Sequence, residues 1–335
     1  MRLQARKNLG ARMLLGTVAI VAILGCAKDP AVAGGLPSWV TKPPADTSDS
    51  IFGVGDGQDL ASSKSGALAA IAGQLMTMVK SSIEVRQEQT GDDYLEEVRA
   101  TVDAQVKDTA LSHYQVKEVA EVGGTWFTLV ELSRRDFISQ NQRHLADQDG
   151  SLVQLVKRQS TQSNLVRFLS GPEATTAIMR AKTTVEMLRS IDPKFDGGDY
   201  MKRYRGYEDA IANTANSLRI YVKADDAASR LARDLSDQLV KSDIRASIRE
   251  PSEPHSTVLL RSNVEQRASF GAKAVKLAIL VTTLDERGAE LASLERIGNG
   301  TSIASYDTAL GLASKNLASE CTKTGALKYL GLIHD

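Results

Sequence analysis

The sequence is short of cysteine, of aromatic residues, of excess charge of either sign and of long apolar runs, and each shortage excludes something. Only Cys26 and Cys321 occur among the 335 residues, so a disulfide-built scaffold is excluded. Hydrophobic residues at 42% and aromatics at 5% describe an ordinary globular chain, long enough for two modest domains with their own cores. Basic and acidic residues balance at 41 each. That leaves no basic face of the kind a nucleic-acid partner requires. The one strongly apolar run, Met13 to Leu24, ends after about a dozen residues, whereas a spanning helix needs about 20.

Catalytic and metal-binding patterns are equally scarce. His113, His144, His255 and His334 are far apart, and none has the paired spacing of a metal site. There is no Gly-x-Ser-x-Gly elbow and no Ser-x-x-Lys. Gly53-Val54-Gly55-Asp56-Gly57 superficially suggests a dinucleotide turn, but the third glycine is misplaced, and helix continues where an acidic strand end is required. A strand-to-helix turn is the better reading. Asp192, Asp196 and Asp199 are spaced by four and three, not by the two and two of a calcium loop, so they read as a simple turn. No catalytic residue, metal or cofactor is expected, and the chain is not read as an enzyme.

What is present is concentrated at the N-terminus. Arg2, Arg6, Lys7 and Arg12, with no acidic residue, precede the apolar run, which Gly25, Cys26, Lys28, Asp29 and Pro30 close. This is the profile of a secretory signal over residues 1–25. Ile23-Leu24-Gly25-Cys26 closely resembles the lipobox of bacterial lipoproteins. It departs from the commonest form in having Ile23 where leucine is usual and Leu24 where a small residue is usual. The resemblance implies cleavage between Gly25 and Cys26 and acylation of the Cys26 thiol, with palmitate among the chains. Two or more chains hold a protein on a membrane where one is marginal. The alternative is an ordinary cleaved signal with an incidental cysteine. Ala27, in place of the aspartate that retains such proteins at the inner membrane, implies the periplasmic face of the outer membrane. Loss of the four basic signal residues leaves 37 against 41, a slightly acidic body. Cys321 then has no partner and reads as a core residue near a helix end.

The expected fold class is α+β, with two small strand-helix-antiparallel-sheet domains separated by a helical segment. Residues 26–50 read as the lipidated N-terminus and a flexible tether rich in Ala, Gly, Pro and Ser. Trp39 interrupts it and either docks on the domain that follows or anchors a partner. In residues 51–135, Ile51 to Gly55 is a strand, and Leu68, Ile71, Leu75 and Met78 mark one helix face. Val98, Ala100, Val102, Ala104 and Val106 alternate with polar residues and predict a strand. Asp92, Asp93, Glu96 and Glu97 would form a solvated hairpin tip, the alternative being a partner-facing patch. Tyr114 to Val122, a Gly123-Gly124 turn and Trp126 to Leu132 complete one strand, one helix and three antiparallel strands.

Pro37-Ser38-Trp39, Phe52-Gly53-Val54-Gly55, the alanines Ala67, Ala69 and Ala70, and Gly124-Thr125-Trp126-Phe127 leading into Leu132-Ser133-Arg134 together resemble the LPP20 family of outer-membrane lipoproteins. The resemblance covers residues 37 to about 135. It implies a small α+β domain used in envelope assembly, including assembly around the flagellar motor, and it supplies no catalytic residues. Trp39 and Trp126 are the candidate partner contacts.

Residues 136–216 show apolar clusters at helical spacing with a break at Gly171-Pro172. Residues 217–335 suggest a second α+β domain: a strand from Leu218 to Val222 and a helix with Ala228, Leu231, Leu235 and Leu239. Strands at Thr257 to Val264 and Val275 to Val281 follow, then a last helix carrying Ile303, Tyr306, Leu310, Ala313 and Leu317. Val240-Lys241-Ser242-Asp243-Ile244 parallels Val79-Lys80-Ser81-Ser82-Ile83, which raises the expectation of a duplication with the same strand order. Two functions follow. One is a structural or interaction lipoprotein that pairs with copies of itself or other envelope proteins. The other is a regulatory or binding lipoprotein that engages a periplasmic enzyme, peptidoglycan or a small ligand through the helical middle.

Overall fold

In a computed structural model the described residues are 35–90, 94–108 and 114–333, and they form an α+β fold with two separate sheets. A short helix α1 (Ser38–Thr41) precedes strand β1 (Ser50–Gly57), helix α2 (Leu60–Thr90), helix α3 (Tyr94–Asp108) and strands β2 (Tyr114–Val122) and β3 (Thr125–Ser133). The three strands are antiparallel in the order β1-β3-β2. Gly123 and Gly124 both take positive φ, which the tight β2–β3 turn demands and glycine supplies without steric cost. Helix α2 buries Ala67, Ile71, Leu75, Val79 and Ile83, a file of residues four apart. Residues at that spacing stack along one helix face, and here the face lies on β1 and β3.

The strand expected at Val98 to Val106 is instead helix α3. Among its residues of described burial, Leu95, Val98 and Val102 are buried, a helical spacing, while Arg99 and Ala100 are exposed. The alternation misled because alanine counts as apolar yet is the strongest helix former. Glu96 and Glu97 lie in the first turn of α3, where carboxylates complement the helix dipole, rather than at a hairpin tip. Asp92 and Asp93 lie outside the described residues. The first unit is therefore one strand, two helices and two strands.

Four helices follow: α4 (Arg134–Ser160), α5 (Asn164–Leu169), α6 (Gly171–Ile191) and α7 (Gly198–Ser217). Ser133 caps α4 by accepting from the Asp136 amide, and Pro172 opens α6, where its missing N–H is not needed. The α6–α7 loop is held by its own aspartates. Asp192 accepts from the Lys194 amide at 3.0 Å and Asp196 from the Gly198 amide at 2.9 Å.

Helix α6 is the hub of this layer. Lys182 Nζ donates to both Glu208 oxygens on α7 at 2.6 and 2.7 Å, and Thr183 shares a 2.8 Å hydrogen bond with Thr101 on α3. Thr184 donates to Gln148 on α4 at 2.9 Å, and the fully buried Glu186 pairs with Arg86 of α2 at 2.8 Å. Four nearly consecutive side chains thus reach four different helices. A buried polar group left unpaired is costly, so these bonds fix which helix faces which.

The second sheet is built from β4 (Arg219–Ala224), helix α8 (Ser229–Lys241), β5 (Arg245–Ser247), β6 (Ser256–Ser269), β7 (Ala272–Leu284) and β8 (Glu290–Ser302). Helices α9 (Tyr306–Thr324) and α10 (Ala326–Tyr329) close the chain. The order is β5-β4-β6-β7-β8, with β4 parallel to both neighbours and the remainder antiparallel. The expected recurrence of one strand order is overturned by this topology. Ile303 is not in the last helix: α9 starts at Tyr306, capped by Ser305, which accepts from the Thr308 amide at 3.0 Å. One face of the sheet packs on α8, α9 and α10 through Val258, Leu277, Ile279, Val281, Leu235, Leu317 and Tyr329.

Candidate contact surfaces

Gly25 and Cys26, the predicted cleavage and lipidation residues, lie outside the described residues. Trp39 is half-buried in α1, which packs against β3. Trp126 is half-buried at the start of β3, opposite Gly57 of β1 and Glu121 of β2. The two tryptophans therefore belong to one region, the small sheet and the helix laid on it.

The least covered strand of that sheet is β2. Helix α2 lies on β1 and β3, and β2 is left with Val116 and Val119 exposed and Lys117, Glu118 and Glu121 beside them. An edge strand exposes unpaired N–H and C=O groups and can accept another strand, and charged side chains and bulges restrain such pairing. Here the restraint is a register shift between Val116 and Glu118. A polar tie crosses all three strands: Lys117 Nζ meets Glu131 Oε2 at 2.8 Å, and Ser50 Oγ donates to Glu131 Oε1 at 2.5 Å. Hydrogen bonds from Lys117 first, then Ser50, hold the Glu131 carboxyl below the ordinary glutamate value. The strand is thus fixed in place, and among the described residues no strand pairs with its outer side.

The glycines of Gly53-Val54-Gly55-Asp56-Gly57 have a packing cause. A Cβ on Gly55 would collide with the backbone of Ala67 and Ser63 in α2, and one on Gly53 with Ala67 and Ile71. They admit helix backbone against strand backbone. Cys321 is buried in α9, and burial first, then the charge of Asp234, pushes its thiol up to about 11. A thiol held protonated is a poor nucleophile.

A cavity of about 420 Å³ lies between the Pro251–His255 loop and the β7–β8 turn. Its acidic residues are already engaged in the fold. Asp285 accepts from the Arg287 and Ala289 amides at 2.9 and 2.8 Å, and Glu286 accepts from the Asn164 amide. His255 Nδ1 lies 2.8 Å from the Glu253 carbonyl, and His144 pairs with Gln148. Among the described residues no group of three or more His, Cys, Asp or Glu is placed to hold a metal ion.

One exposed feature was not anticipated from the sequence. The β6–β7 hairpin turns through Phe270 and Gly271, both at positive φ, and Phe270 is fully exposed at its apex. Because Lys273 pairs with Ser302, the end of β8 and the 87% exposed Ile303 lie at the same end of the sheet. The signal was Ser269-Phe270-Gly271-Ala272 between the two strand patterns Thr257 to Val264 and Val275 to Val281, disguised because aromatic-glycine is not a usual turn pair.

No family model matches the chain, and no curated protein does. Among solved structures, a secreted protein of Helicobacter pylori aligns at 14% identity over 84% of this chain and 98% of its own, with a TM-score of 0.46. A minor lipoprotein of Acinetobacter baumannii aligns at 10% identity over 33% of this chain and 91% of its own, with a TM-score of 0.27. Both scores are below the level at which a shared fold follows. Among the described residues no helix is long and apolar enough to cross a membrane.

Proposed function

We propose that this chain is a lipoprotein held on the periplasmic face of the outer membrane, with a structural or assembly role in the cell envelope and no catalysis of its own. The observation that carries the reading is Ile23-Leu24-Gly25-Cys26 closing a basic, then apolar, leader. Such a leader delivers the chain across one membrane, and an acylated Cys26 then holds it on a bilayer. Assembly rather than chemistry is supported by the uncovered edge of β2, which offers backbone groups to a second copy or another envelope protein. Trp39 and Trp126 on the same small unit are the contacts expected to matter. Membership of the LPP20 family, and a place beside the flagellar motor, are the finer form of this reading and rest on the motifs of residues 37–135.

Mass spectrometry of the native product tests it directly. The expected N-terminus is an acylated Cys26, and Cys26→Ser should abolish palmitate incorporation and leave uncleaved precursor. An unmodified Cys26, or a mature start beyond it, overturns the assignment.

A further inference from the structure

We propose that the β6–β7 hairpin apex is a second membrane contact, in which Phe270 and Ile303 enter an anionic lipid surface while flanking lysine and arginine side chains meet the phosphates. The first support is conformational. Phe270 and Gly271 fill both central positions of a two-residue turn with φ of 51° and 80°, a geometry that asparagine-glycine adopts most easily. A bulky aromatic in the left-handed region is an outlier. It gains nothing from the fold in return, because its ring touches solvent on every side.

The second support is the chemistry around it. Residues 266–276 and 299–306 contain no carboxylate but carry Arg267, Lys273 and Lys276, in a chain of 41 basic and 41 acidic residues. Glu265 lies just behind and pairs with Arg267 and Lys276, and Asp307 sits in the first turn of α9. With Glu265 and Asp307 counted, the apex region carries its two exposed apolar side chains and an excess of one positive charge. Lys273 Nζ donates to the Ala304 carbonyl at 2.8 Å and sits 5.9 Å from the Tyr306 ring centre, so the Ile303 segment is held beside the hairpin. A convex pair of apolar side chains, edged by cations and small residues, suits the boundary between headgroups and acyl chains.

One aromatic and one aliphatic residue bind lipid weakly alone. A lipid on Cys26 would hold the apex at high local concentration, and the apex would then set the orientation of the body. In this respect the inference rests on the anchored reading above, but its test does not. The mature chain carrying Cys26→Ser, made without acylation, is sedimented with vesicles of phosphatidylethanolamine and phosphatidylglycerol. It should partition onto them, and less onto phosphatidylcholine alone. Phe270→Asn should lower the partition coefficient about tenfold or more, with no fall in unfolding temperature, because asparagine suits the turn. Equal partition of parent and variant, or no partition by either, overturns the proposal. A photoreactive phenylalanine at position 270 in cells should crosslink phospholipid. Crosslinking to protein alone overturns the lipid assignment in favour of a protein pocket. Failure of the Cys26 reading appears separately, in the palmitate experiment.

Discussion

The hairpin of β1 with α2 and the hairpin of β8 with α9 solve one packing problem in two different sheets. In the first, Gly55 lies under Ser63 and Ala67, and Gly53 under Ala67 and Ile71. In the second, Gly300 lies under Ala309 and Ala313, and Gly298 under Ala313 and Leu317. Each helix runs back over its strand with two small residues four apart, then a large one four further on. A glycine two positions earlier in the strand sits beneath each successive helical step. The surroundings differ: one hairpin belongs to a three-stranded antiparallel sheet, the other to a five-stranded mixed one. A strand glycine pair followed by a helix with small residues at i and i+4 is therefore a local device, independent of sheet order. The internal likeness of this chain lies between β1–α2 and β8–α9, not between β1–α2 and β4–α8.

The comparison breaks most readily at the glycines. Gly55→Val and Gly300→Val should each cost about 3 kcal/mol or more, because the new atoms meet helix backbone rather than flexible side chains. Chemical denaturation of both variants measures this, and a Gly55 variant near parental stability would end the equivalence. The units differ most between helix and sheet, and α3 tests that difference. Val98→Lys should cost about 3 kcal/mol and Ala100→Lys less than about 0.5 kcal/mol, since only the first buries a charge. A strand would reject both. At Gly73 of α2 and Gly311 of α9 an added Cβ meets nothing within 4 Å. Alanine at either should raise stability by about 0.5–1 kcal/mol, read as a higher unfolding temperature.

Smaller effects concern groups peculiar to the second sheet. Partial burial raises the Asp225 carboxyl, but hydrogen bonds from Ser262 and from the Ala228 and Ala227 amides outweigh it and leave it below the ordinary aspartate value. A lowered folded value means stability that is present above the unfolded carboxylate range and lost as pH falls through the folded one. Asp225→Asn should therefore lose under about 1 kcal/mol at neutral pH, limited by solvent screening. Its acid unfolding limb, followed by circular dichroism, should be shallower than the parent's. Cys321 should stay unalkylated by iodoacetamide at pH 8 until the fold is opened by denaturant.

The sequence disclosed elements whose burial follows a strict period. Ile71 and Leu75 of α2, the amphipathic α8 and the alternating β7 announce themselves because each element buries one face against a continuous layer, although the buried file of α2 runs through Ala67 and Val79 where Leu68 and Met78 were expected and are only half-buried. Helix α3 did not, since Val and Ala at every second position satisfy a strand template while Leu95, Val98 and Val102 satisfy a helical one. Strand β8 was missed because the inward positions near its end are Gly298 and Gly300, which have no side chain to register as apolar. Phe270 gave no warning because exposure is not encoded in residue type. Lys182, Thr183, Thr184 and Glu186 are polar side chains that only the assembled helices show to be buried.

That cluster on α6 has a mechanical consequence. Apolar faces alone let neighbouring helices slide by a fraction of a turn at little energetic loss, but a carboxylate clasped in the interior cannot move without abandoning its guanidinium. Helix α6 is joined to each of α2, α3, α4 and α7 by directional bonds, so a shift of this helix along its axis by one turn would break all four joints at once.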